Sequence, residues 1–149
     1  MAAGTFGMIG GQVVDIQSEG KSVDAEALEY IHRHKTAALI RASLVSGALL
    51  SGASPSALKA IGDAGAHLGL AFQIVDDILD VEGSLEELGK TAGSDRRKKK
   101  VTYPEHFGLE ASRLKAKSLI EYAKAALRPL GPRAEPIRAL ADFIFQRRS

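Results

Sequence analysis

At 149 residues and 45% hydrophobic, the chain is long enough for one domain around one core, and a net charge of +2 with 5% aromatic residues and no Trp argues against a nucleic-acid partner. The absence of Cys excludes disulfides and thiolate zinc sites and suits a reducing cytoplasm. No apolar run approaches the ~20 residues of a membrane span, and no charged segment followed by an apolar one marks a signal peptide.

Hydrophobic periodicity is helical almost throughout, with no alternating pattern and no hairpin turns, so the fold class is all-α. The opening segment is the exception. Gly4, Gly7, Gly10 and Gly11 each cost up to about 1 kcal/mol in a helix interior relative to Ala, and propensity alone reads this stretch as loop. Ser22 is the expected N-cap of a helix running to roughly Leu50, with Asp24 and Glu26 where the helix dipole favours acids. Ser54-Pro55 starts the next helix, which runs to about Val81. Ser84-Leu85-Glu86-Glu87 has the capping-box pattern and predicts a short separate helix before Gly89. Lys90 to Thr102 reads as a loop. Pro104, Gly108 and the run Leu109 to Leu127 predict a broken helix, and Pro136 opens a final one.

The second of these helices carries the strongest chemical signal. Gln73, Asp76, Asp77 and Asp80 fall at i, i+3, i+4 and i+7, the spacing of one helix face, while Leu68, Leu70, Ala71, Phe72, Ile74, Val75, Ile78 and Leu79 cover most of the remaining circumference. A helix apolar nearly all round belongs inside a protein, where ionised carboxylates are costly without a compensating cation. A hard divalent ion answers that need: Mg²⁺ takes oxygen ligands and is commonly shared between one or two carboxylates and substrate phosphates. The competing reading is a solvated acidic face, or carboxylates paired with Lys and Arg of other helices.

Other candidate motifs are weaker. Lys35 in His34-Lys35-Thr36 would ordinarily be a solvated surface residue, and the histidines read as surface or packing residues because no metal-spaced His accompanies them. Gly89-Lys90-Thr91 is not a Walker A motif, since Ser stands at position 84 and no strand precedes it. Arg96, Arg97, Lys98, Lys99 and Lys100 form a charge run of the kind that is usually solvated.

The run FQIVDDILD over residues 72–80 resembles the second aspartate-rich motif of the trans-prenyl diphosphate synthases. Gly10-Gly11-Gln12-Val13-Val14-Asp15, His32-Arg33-His34-Lys35-Thr36, Gly89-Lys90 with Asp95, and Lys100 with Thr102-Tyr103-Pro104 are similar to that family's motifs, in its order. The likeness is greatest to bacterial short-chain members of the farnesyl diphosphate synthase type. It implies an isoprenoid-synthase helical bundle, a helical opening segment, and head-to-tail condensation of isopentenyl diphosphate with an allylic diphosphate. By the same resemblance, Asp76 and Asp80 are Mg²⁺ ligands and Asp77 holds metal-bound water. Lys35, Lys90 and Lys100 contact diphosphate, Thr36 and Gln73 face the allylic cation, and Asp95 supports the loop or a metal-bound water. Arg96, Arg97, Lys98 and Lys99 match no family requirement and stay surface.

Asp76-Asp77 is the only Asp-Asp pair, so the family's earlier aspartate-rich motif is absent, and residues 1–149 are expected to form the C-terminal half of such a domain. The resemblance implies a cytoplasmic homodimer when complete. The chain alone is expected to be inactive and, through its uncovered apolar faces, to self-associate. Two alternatives share the fold: a non-catalytic or partner-completed subunit, and a squalene- or terpene-synthase-like relative, which the elongating-enzyme character of Gly89 to Pro104 disfavours.

Overall fold

A computed structural model describes residues 1–88 and 102–147, which form α-helices and no strand. Asp24 starts the first long helical stretch: its side chain accepts the Ala27 N–H at 2.8 Å and so satisfies an otherwise orphaned donor. The cap therefore lies two residues beyond Ser22, and Glu26 sits in the first turn. From there α2 (Ala25–Ile31) passes through a π-helical segment (His32–Ala37) into α3 (Ala38–Leu50) without leaving helical geometry.

The opening segment divides at Gly7. Residues before it make tight turns, and α1 (Met8–Ser18) contains Gly10 and Gly11 despite their propensity. A close crossing explains Gly11, because a Cβ there would stand 2.3 Å from the Lys35 backbone nitrogen. Gly69 does the same on the other side of the π segment, where a Cβ would lie 2.4 Å from the Ala37 Cα.

Helix α4 (Pro55–Leu88) is the central rod, about 50 Å long at 1.5 Å per residue. It is helical to Leu88 rather than ending near Val81, so Ser84 to Glu87 does not begin a separate helix. A cap serves N–H groups that lack a partner, and the turn before position 84 already supplies those partners. The Arg113–Glu82 ion pair joins this end of α4 to a neighbouring helix. The capping box stands instead at Thr102 and Glu105, with Pro104 in the first turn, and opens α5 (Tyr103–Phe107).

Gly108, at φ 85°, turns the chain into α6 (Leu109–Ala126), as the predicted break requires. A 3₁₀ segment (Arg128–Ala134) leads to α7 (Glu135–Gln146), with Pro136 in its first turn. The core lies chiefly between α4 and α6, where Leu68, Ala71, Ile74 and Ile78 meet Ala116, Leu119, Ile120 and Ala123. Each fully buried Leu or Ile contributes roughly 1.5–3 kcal/mol, enough to fix the rotation of α4 about its axis. That rotation decides which of its polar side chains face inward.

Candidate active site

The Asp stripe is split by the rotation of α4. Asp77 has 0% of its side chain exposed, whereas Asp76 has 43% exposed and Asp80 is also exposed. Inward, Asp77 Oδ2 accepts the Tyr103 backbone N–H at 2.9 Å and lies 3.1 Å from His32 Nε2; its Oδ1 accepts from Gln73 Nε2 at 3.2 Å. Gln73 Oε1 in turn accepts the Thr36 hydroxyl at 2.7 Å. The π segment, α4 and the start of α5 are thereby tied through one buried carboxyl. His32 also stacks on the Tyr103 ring, and burial pushes the Tyr103 phenol up from its ordinary value.

Outward, the Arg147 guanidinium reaches Asp76 Oδ1 at 3.1 Å and the Phe72 carbonyl oxygen at 3.3 Å, with its Cζ 4.2 Å from the centre of the Phe72 ring. Arg147 Nε is buried and has no hydrogen-bond partner among the described residues. Beside it lies a hollow of about 440 Å³ whose walls include Glu82, Arg113 and Gln146. A cation already resting on Asp76 shows that this carboxylate faces a position suited to positive charge, and Asp80 lies one turn along. The two carboxylates fit a hard divalent ion that completes its shell with water and phosphate. Among the described residues no group of three or more His, Asp or Glu could hold a metal by itself.

Lys35 Nζ pairs with Asp15 Oδ2 of α1 at 2.5 Å, both side chains being largely buried. The bland surface reading of Lys35 therefore fails: an ammonium held between two helices is a placed charge. Histidine placement follows the packing reading, since His32 is only 3% exposed and His34 stacks on Tyr30, with ring centroids 3.9 Å apart. Lys90, Asp95, Arg96, Arg97, Lys98, Lys99 and Lys100 lie outside the described residues.

Three residues at the site had no role of their own assigned from the sequence. Asp15 was legible only as part of a motif, Arg147 carries no local signal, and His32 meets its partner 45 positions away. The structure brings Thr36, Gln73, Asp77, His32 and the Tyr103 backbone together, and Asp76 with Arg147. Lys35 joins Asp15 instead.

The sequence profile described as polyprenyl synthetase matches residues 1–128. The farnesyl diphosphate synthase of Escherichia coli is 47% identical over 98% of this chain and 50% of its own length. A dimethylallyltranstransferase of Fischerella ambigua is 47% identical over 98% of the chain and 42% of its own. Among solved structures, the geranyltransferase of Helicobacter pylori, complexed with magnesium and isoprenyl diphosphate, superposes with a TM-score of 0.78 at 35% identity, covering 98% of this chain and 49% of that one. The chain thus spans about half the length of the relatives it matches. An all-α bundle built around the split aspartate stripe, and a profile match over most of its length, place this chain in the polyprenyl synthetase family.

Proposed function

We propose that the chain supplies the C-terminal half of a prenyl-transfer site, which condenses isopentenyl diphosphate with an allylic diphosphate once helices carrying a second carboxylate cluster complete it. The observation that carries this reading is the outward pair Asp76 and Asp80 on the same helix as Gln73, whose amide meets Thr36 of the π segment. Asp76 and Asp80 would hold Mg²⁺. When bound, that ion neutralises charge building on the departing diphosphate. Lys35, released from Asp15, contacts the diphosphate as a point charge, and Lys90 and Lys100 add to it. Thr36 and Gln73 present oxygen toward the allylic carbon as positive charge develops there. The isopentenyl double bond attacks that carbon, the C–O bond to diphosphate breaks, and a proton leaves the new adduct for the released diphosphate.

A half-site also explains the exposed apolar side chains. Phe6, Ile9, Val13 and Ile16 recur at helical spacing along and just before α1, and Leu49 and Leu50 end α3. Such faces suit burial against further helices and, in a complete protein, a homodimer. The absence of Cys supports a cytoplasmic setting, and among the described residues no helix is long and apolar enough to cross a membrane.

The test supplies geranyl and isopentenyl diphosphates with Mg²⁺ to this chain alone, and to the chain fused behind the N-terminal half of the Escherichia coli synthase. The reading predicts no product from the first and Mg²⁺-dependent elongation from the second. Product from the chain alone overturns the half-site. A folded fusion that elongates nothing overturns prenyl transfer and favours a non-catalytic subunit of the same fold.

A further inference from the structure

We infer that Asp77 is a positioning residue: acting through the Gln73 amide, it sets the direction in which the Thr36 hydroxyl points its hydrogen. The inference starts from what each group can donate. As a carboxylate Asp77 only accepts, so the side of the Gln73 amide that faces it at 3.2 Å must be the NH₂. Gln73 is 8% exposed and one amide plane carries both its ends, so the carbonyl oxygen is forced toward Thr36. Two oxygens 2.7 Å apart need a hydrogen between them, and only the Thr36 hydroxyl can supply it. The hydroxyl hydrogen is thereby fixed toward Gln73. Its lone pairs turn to the opposite side, and Thr36 is partly exposed.

His32 and the start of α5 hold the other end of this chain of bonds. The Tyr103 N–H and His32 Nε2 both meet Asp77 Oδ2, which leaves Oδ1 for the amide. His32 Nδ1 is buried without a hydrogen-bond partner among the described residues, as suits a nitrogen bearing a lone pair rather than a hydrogen. The imidazole hydrogen is then on Nε2, aimed at Asp77. The donors from His32 on one side and from Thr36 through Gln73 on the other thus all point toward the carboxylate, where both runs end. A hydroxyl with free choice would offer either its hydrogen or its lone pairs to a ligand; this one offers lone pairs, the end suited to developing positive charge.

The meaning of that orientation rests on the prenyl-transfer reading, but the orientation is measured without substrate, so the two can fail separately. Proton–nitrogen NMR of the labelled chain reads the Gln73 side-chain amide directly. In the native chain its strongest NOE should go to the Asp77 methylene and not to the Thr36 methyl. In Asp77→Asn the new amide must keep its oxygen toward the Tyr103 N–H, so its NH₂ faces Gln73, and the Gln73 amide turns over. Its strongest NOE should then move to the Thr36 methyl, with the remaining backbone resonances of α4 and α6 unchanged. A native amide already facing Thr36 overturns the inference, whether or not the variant folds. A folded Asp77→Asn chain with the native NOE pattern does the same.

Discussion

The two sides of α4 between Gln73 and Asp80 both carry aspartate and behave as opposites. Gln73 and Asp77 turn inward, where one carboxyl meets a backbone N–H, an imidazole and an amide. Asp76 and Asp80 turn outward, and Asp76 meets a guanidinium from the end of the chain. Burial makes the difference. A buried carboxylate persists because protein donors surround it, and an exposed one remains available for exchange with a mobile cation. A four-residue polar stripe thus divides into a buried pair that ties elements of the fold together and an outward pair that reaches the surface.

The largest effect that separates them is on stability. Asp77→Ala leaves the Tyr103 N–H, His32 and Gln73 without their buried acceptor and should cost about 3–5 kcal/mol, seen as a fall in Tm of roughly 6–20 °C. Asp76→Ala breaks a half-exposed ion pair and should cost no more than about 1 kcal/mol. Equal losses from the two would erase the distinction. The order should reverse in catalysis: in the fusion described above, Asp76→Ala should lower kcat/KM by on the order of 10²-fold, or ~3 kcal/mol of transition-state stabilisation, with the fold intact. Unchanged turnover would contradict a metal role for the outward face.

A smaller effect tests how the inward face is assembled. Gly69 lets α4 approach the π segment, and the added methyl of Gly69→Ala would meet backbone at 2.4 Å. The helices must separate, at about 1–3 kcal/mol by chemical denaturation, and the Thr36–Gln73 bond should lengthen or break. An Ala accepted without loss would show that the crossing is loose. The smallest effect concerns the outward face. Arg147→Ala removes the cation resting on Asp76, so Mn²⁺ should bind this chain severalfold more tightly by electron paramagnetic resonance. Weaker binding would show that Arg147 supports the site rather than occupying it.

Much of this was legible in the sequence because it rests on local pattern. The stripe at i, i+3, i+4 and i+7, Pro55 at a helix start and Gly108 at a break are short-range signals, and the fold class follows from their sum. What was not legible depends on distant partners. Spacing alone puts Asp76 and Asp77 on one face, and only the packing of α4 against α6 turns one inward. The π segment has no sequence signature, since it reflects how His32 to Ala37 fit between Gly11 and Gly69. Ser84 to Glu87 has the letters of a capping box within an uninterrupted helix, while Thr102 to Glu105 uses the same pattern where the chain does begin one. Lys35 drew its importance from resemblance; its partner Asp15, 20 residues away, gives the physical reason it is not a surface lysine.

The central claim is that the outward carboxylates receive a divalent cation and the inward one does not need to. Titration of this chain with Mn²⁺ in the presence of inorganic pyrophosphate, followed by electron paramagnetic resonance, addresses it directly by comparing the native protein with Asp76→Asn. The variant keeps the size of the side chain and one acceptor oxygen while removing its charge, so the account predicts at least a tenfold loss of Mn²⁺ affinity with an unchanged circular dichroism spectrum. Native-like affinity in a folded Asp76→Asn chain would contradict it.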